Sequence, residues 1–338
     1  TDHILEQIAM IAKLEKNGFS YQTSTGIYFD TSKFKDYGKM ARLNLQDLKE
    51  GARVEVDPEK KHPRDFLLWA FSVGKHKNHI MHWDSPWGDG FPGWHIECSA
   101  LSSHYLGEHF DIHTGGMDHI PVHHTNEIAQ SEGAFQHTWV NYWLHNEFLK
   151  FGEGKMAKSG ESFITLSTLE EKGYDPLDYR YFCLNTHYRI PLTFSYQALD
   201  AAKNAHYSLK QKIIELQEQG TSNTTKAFEA HKEKFLQAIN DDLNIPKALG
   251  ILWTMLKDTK LGSKEKLSLI YDFDTVFGLQ LDQVKKGTLN TEIEALIQER
   301  EQARKAKNFK KADSIRDALL QKGIVLEDSS SGVKWRRK

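Results

Sequence analysis

The chain has 338 residues, of which 39% are hydrophobic and 27% charged, with a formal net charge of -2. That length suits two or three domains, and no apolar run of about eighteen residues or opening secretory pattern points to a membrane or to export. Only two cysteines occur, Cys98 and Cys183, so a disulfide framework is not expected and a reducing cytoplasm fits; near-neutrality rules out a uniformly basic nucleic-acid binder.

Residues 1–17 read as a helix, because Ile4, Ile8, Ile11 and Leu14 recur at helical spacing; Thr1 is placed to cap it and Gly18 to stop it. Residues 26–30 (GIYFD) read as a short strand. Residues 31–90 are mixed, and 82–94 (HWDSPWGDGFPGW) lack a regular period. The aromatic content of that loop fits the wall of a binding cleft or a buried structural loop. Helix signals at 96–106 and 126–132 then alternate with strand signals at 110–113 and 139–144, which argues for part of an α/β parallel sheet.

After Ser195 the pattern is helical. Leu199, Ala202, Leu209, Ile213 and Leu216 line one long helix, and Phe235, Ile251, Leu252, Met255, Ile270 and Phe273 mark later ones, the core faces of a bundle. A linker at 287–290 precedes two short helices hinged near Asn308, the second ended by Gly323. Residues 295–338 hold twelve Lys and Arg against six acids, a net of about +6, so this end is a candidate phosphate-facing surface or simply a solvated helix pair.

Three segments carry candidate chemistry. In His123-His124-Thr125-Asn126-Glu127, His123 and Glu127 stand at i and i+4 and share a helix face, and Cys98 could add a thiolate. One Cys, one His and one Glu suit zinc with a fourth position still to fill. The plain alternative for Cys98 is a small core residue. Lys155 and Lys158 lie in a glycine-flanked loop that could close over a polyphosphate or stand exposed. Thr114-Gly115-Gly116-Met117-Asp118 follows a strand, where glycine admits a nucleotide and Asp118 could accept from ribose hydroxyls.

In this order the segments resemble one family. GWHIECSA at 93–100, FDIHTGGMD at 110–118, HHTNEIAQ at 123–130, NYWLHN at 141–146, KMAKS at 155–159 and AINDDLNIPKA at 238–248 are similar to the motifs of cysteinyl-tRNA synthetases, and the ending GVKWRR also matches. The resemblance runs along the whole chain. It implies an α/β fold: a partial Rossmann-like class I synthetase nucleotide domain with an insertion, an all-α helical bundle and a small basic C-terminal helical subdomain. The expected boundaries are 1–92 for the insertion, 93–196 for the second half of the nucleotide domain, 197–286 for the bundle and 287–338 for the tail.

The resemblance also implies a cysteine–tRNA ligase, with ATP, L-cysteine and tRNA(Cys) as partners, Mg²⁺ accompanying ATP and one Zn²⁺ per subunit. Cys98, His123 and Glu127 would be three of four zinc ligands. Lys158 would stabilise the ATP phosphates with Lys155 in support, and Gly116 and Asp118 would sit at the adenosine. Trp94, His95 and His113 would line the cysteine pocket. Arg300, Arg304, Trp335 and Arg336 would contact tRNA. A cytoplasmic monomer is expected.

Departures from the family pattern accompany these expectations. The HIGH-type ATP motif and the fourth ligand, a cysteine just ahead of it, are not in this sequence, so the chain reads as lacking the N-terminal part and as inactive alone. Ala157 replaces Ser in the signature loop, Thr125 replaces Glu, and Thr114 replaces Gly. The rival readings are a non-catalytic tRNA-binding remnant, a cysteine–amino sugar ligase of the same superfamily and, more remotely, a zinc hydrolase.

Overall fold

The computed structural model describes residues 1–42, 58–151, 154–155, 164–222, 226–285, 291–321, 323–329 and 332–337. The chain divides into two units, Thr1–Phe148 with Tyr188–Pro191, and Leu149–His187 with Leu192–Lys338.

The first unit opens on α1 (Ile4–Lys16), whose Met10, Ile11 and Leu14 are buried as the helical spacing predicts. Thr1 does not cap it. His3 holds the N-cap position and makes no side-chain capping bond. Gly18, at φ +80°, ends the helix in the left-handed region that glycine enters at no steric cost. The strands β1 (Ser20–Gln22), β2 (Gly26–Phe29), β3 (Phe66–Phe71) and β4 (Gly90–Pro92) form an antiparallel sheet in chain order. The run FLLWAF of β3 has no alternation because nearly all of it is buried, Trp69 completely. The loop at 82–94 is tied by a bridge between Trp83 and Gly90 and contributes β4. Trp83 and Trp87 pack against the core, the structural reading of its aromatics.

Next come α2 (Trp94–Leu106) and β5 (Phe110–Gly116). A π-helical turn, Ile120–His124, leads into α3 (Thr125–Phe135), and β6 (Val140–Asn146) follows. β5 and β6 pair in parallel from Phe110 opposite Val140 to Gly116 opposite Asn146, the β-α-β unit expected from the alternation. The interior side of α3 is polar: Asn126, Glu127, Gln130 and Ser131 are all buried. Two of them bind across elements, Asn126 accepting from the Tyr37 hydroxyl at 2.6 Å and Gln130 donating to Ser99 Oγ at 2.6 Å.

The second unit begins with β7 (Leu149–Phe151) and β8 (Gly154–Lys155), then α4 (Leu166–Glu171), α5 (Pro176–Leu184) and β9 (Leu192–Phe194). The strands form a small sheet ordered β8-β7-β9. Four helices follow, α6 (Tyr196–Gln219), α7 (Lys226–Asn240), α8 (Ile245–Lys257) and α9 (Ser263–Phe277). Their core gathers Leu199, Leu209, Ile213, Phe235, Leu252, Met255, Phe273 and Phe277, with the Phe235 and Phe273 rings stacked at 3.9 Å. Each such side chain contributes roughly 1.5–3 kcal/mol through burial, which is what holds these amphipathic helices.

The tail departs from the expected helical subdomain. Its helices, α10 (Thr291–Lys305) and α11 (Phe309–Gln321), turn at Lys307, which has φ +57°. A hairpin then closes it, β10 (Ile324–Ser329) against β11 (Gly332–Arg337). Ile324, Leu326 and Trp335 pack with Ile293, Ile315 and Leu319. Two strands with only three apolar anchors are too brief for periodicity to reveal, and the helices supply the surface that stabilises them. Among the described residues no helix is long and apolar enough to cross a membrane.

Candidate active site

Several elements of the first unit bring titratable side chains together. His95 and Cys98 lie one turn apart on α2, His123 and His124 end the π-helical turn, Glu127 is in the first turn of α3, and His113 and His145 come from the paired strands. Two glycines permit this approach. A Cβ at Gly93 would run into the carbonyl oxygen of Leu67, so glycine lets α2 start against β3. A Cβ at Gly115 would stand 2.5 Å from His124 Cε1 and 2.9 Å from His119 Nδ1. The wide π turn is an irregularity often found at functional sites. Here it delivers two adjacent imidazoles to one carboxylate.

Glu127 is the pivot. It is 0% exposed, and among the described residues neither Oε1 nor Oε2 has a hydrogen-bond partner. Nε2 of His113, His123 and His124 lie 3.4, 3.7 and 3.7 Å from Oε2, close in charge terms but beyond hydrogen-bond length. The ligand atoms of Cys98, His123 and Glu127 lie within 4.8 Å of one another, and so do those of His113, His124 and Glu127. A buried carboxylate without donors is costly unless a cation meets it. This donor set, a thiol, an imidazole and a carboxylate, fits zinc.

The protonation pattern agrees. Burial, then Glu127 and Glu97, push the Cys98 thiol up to about 11. Burial, then His123 and His119, lower His95 to about 3. Burial and the surrounding histidines lower His124 to about 2. The imidazoles are therefore neutral, the form that ligates a metal, whereas the thiol must lose its proton to one. His123 Nδ1 and His95 Nδ1 are 2.8 Å apart and share one proton, which leaves His123 Nε2 toward Glu127. Such a partner on the far nitrogen orients a ligating histidine.

Around this centre, Trp94 is 63% exposed and lays its ring 4.6 Å from that of His123. His95 is buried behind it, and half-buried His113 faces Trp143 at 4.8 Å. Gly116 ends β5, and Asp118 follows it, exposed, in a 3-10 turn. Reading by residue type missed His119, His124 and His145. The His-His doublet was a signal for His124 alone, since His124 and Glu127 stand at i and i+3. His124 Nδ1 meets His145 Nε2 at 2.7 Å.

Two family models match the chain: tRNA synthetases class I (C) catalytic domain over residues 1–204, and Cysteinyl-tRNA ligase anticodon binding domain over residues 286–336. The chain belongs to the cysteine–tRNA ligase family. It is 44% identical to cysteine–tRNA ligase of Treponema denticola, with 100% of this chain covering 74% of that protein. It is also 44% identical to cysteine–tRNA ligase 1 of Burkholderia lata (99% of this chain, 70% of that one) and 40% identical to the Shouchella clausii ligase (100% and 75%).

The remaining residues expected from the cysteine–tRNA ligase pattern lie in the second unit. Lys155 is on β8 opposite Lys150, and Lys158 lies outside the described residues. In the tail, Arg304 is exposed, but Arg300 is only 5% exposed, too enclosed for the surface phosphate contact expected of it. Trp335 is partly buried in the tail core, leaving only part of its ring to stack on a base. Arg336 sits opposite Val325 in the hairpin, and its side chain lies outside the described residues.

Proposed function

We propose that this chain activates L-cysteine with ATP and transfers it to tRNA(Cys), with Cys98, His123 and Glu127 holding a zinc ion that selects the thiol. The observation that carries the reading is the buried Glu127 carboxylate, without hydrogen-bond donors among the described residues and within 4.8 Å of the Cys98 and His123 ligand atoms. When bound, zinc supplies a soft Lewis acid that favours a thiolate over serine's harder hydroxyl.

The chain's own groups do the rest. Trp94 covers His123 and, with His113, walls the space beside the ligands; His95 fixes the His123 ring through their shared proton. The cysteine carboxylate is already a nucleophile, so activation needs no general base: its oxygen bonds to the α-phosphorus as pyrophosphate leaves. Gly116 and Asp118 would receive the adenosine, and Lys158, supported by Lys155, would meet the charge developing on the phosphates, with Mg²⁺ accompanying ATP. We assign residues 1–92 as the insertion, 93–196 to the catalytic domain, and 197–286 and 287–338 as tRNA-facing, with Arg304 and Arg336 on the phosphates. The anticodon-binding match at 286–336 favours tRNA over an amino sugar as acceptor. The reading is of a cytoplasmic monomer.

The test is calorimetric titration of the zinc-loaded chain with cysteine and with serine. Cysteine is expected to bind at least about 1,000-fold more tightly, beyond the roughly 10–200-fold that a methylene-sized difference gives, and Cys98→Ala is expected to remove the preference. Equal affinities for the two amino acids would sink the proposal.

A further inference from the structure

A second cluster of metal-ligating groups lies at the surface of the first unit, six residues along α2 from Cys98, or about 9 Å of helix. His3 and Glu6 come from the start of α1 and His104 from the last turn of α2. Their ligand atoms fall within 4.8 Å of one another. His3 Nδ1 is 3.3 Å from Glu6 Oε1, and His104 Nδ1 is 3.5 Å from the same oxygen. Bonds of about 2.0–2.1 Å to a tetrahedral zinc place any two donors about 3.3–3.4 Å apart. The His3–Glu6 spacing matches an edge of a zinc tetrahedron, and the His104–Glu6 spacing is slightly longer than one.

The surroundings support the same arrangement. His3 Nε2 lies 2.8 Å from the Tyr105 hydroxyl. With Nε2–H donating to that oxygen, the Nδ1 lone pair faces Glu6 and His104, the far-side partner that ligating histidines use. Glu6 Oε2 is screened from solvent and, among the described residues, takes no hydrogen bond from another residue. Side-chain exposures of 20% for His3, 33% for Glu6 and 42% for His104 leave an entry path and a fourth position for water.

We propose that His3, Glu6 and His104 form a second divalent-cation site of the zinc class, positioned by Tyr105. The cation ties the start of α1 to the end of α2, the helix that carries His95 and Cys98. It is a brace, not a catalytic centre, and it stands whether or not the zinc reading of the active site holds.

The experiment is metal stoichiometry on the full chain with Zn²⁺, followed by Co²⁺ spectroscopy. The wild type is expected to bind two equivalents. Cys98→Ala should keep one, whose Co²⁺ spectrum lacks a thiolate charge-transfer band. His104→Ala should also keep one, with the thiolate band retained. Tyr105→Phe should weaken the brace site about 10-fold or more. His3→Ala is the independent check; both histidines are partly exposed, and circular dichroism verifies folding. Unchanged stoichiometry in His104→Ala and His3→Ala overturns the proposal, as does a Cys98→Ala chain that binds no metal.

Discussion

The two units each bury a carboxylate beside histidine, and they treat it in opposite ways. In the helical unit, Asp178 accepts from His206 Nδ1 at 2.8 Å and from the Asp175 amide at 3.2 Å as part of the α5 capping box. Asp274 in α9 likewise accepts from the amides of Leu279 and Leu281, each at 2.8 Å. In the first unit Glu127 has three imidazoles close by and no hydrogen bond among the described residues. The residue types are the same, so burial of an acid beside histidine does not by itself mark a ligand site. What separates the two is whether the chain supplies the donors. Where it does, the carboxylate staples the fold; where it does not, the proposal is that a cation meets the carboxylate.

The contrast breaks most visibly on metal binding. Glu127→Gln is expected to weaken zinc at the Cys98 centre by more than about 100-fold, beyond the loss typical of an outer partner, whereas Asp178→Asn leaves zinc affinity unchanged. Equilibrium dialysis against a chromophoric chelator reads both, and equal losses would erase the distinction.

Stability of the metal-free chain should then separate them with opposite signs. Asp178→Ala strips the partner from buried His206 and should cost about 3 kcal/mol. Glu127→Gln removes a buried carboxylate that has no donor among the described residues, so it should be neutral or stabilising. Denaturant unfolding of both variants decides it, and a destabilised Glu127→Gln would mean that the chain satisfies this carboxylate after all.

The smallest effect is in acid. Burial pushes Asp178 up, but the His206 hydrogen bond and the Asp175 amide outweigh it and hold the group below its usual 3.8. A lowered folded value means stability that is present above pH 3.8 and is lost as pH falls through the folded value. The Tm difference between the wild type and Asp178→Asn should therefore shrink across that acid window. A difference that stays constant with pH would assign the staple to packing alone.

Much of this was legible before the structure. The helices α1 and α6, the parallel β5–β6 pair and the His123–Glu127 spacing all follow from periods of 3.6 and 2, which relate residues within a turn or two. Cys98 was a candidate by residue type, but only the resemblance favoured a ligand over a small core residue, because nothing local ties α2 to α3. The tail hairpin escaped because its two strands carry too few apolar positions to show alternation. Arg300 read as a surface charge but is buried, since charge in a sequence does not say which side of a helix a neighbour covers.

The sequence by itself determined the long helices, the β5–β6 pair, the family motifs and part of the chemical inventory of the site, because helix and strand periodicity and side-chain donors are properties of short stretches. Only the tertiary structure decided that Glu127 is without donors among the described residues, that His113 and His124 join it, that α3 buries polar residues, and that His3 meets His104 about a hundred residues away. Those outcomes depend on which surfaces the chain brings together, and hydrogen-bond satisfaction is settled there, not along the sequence.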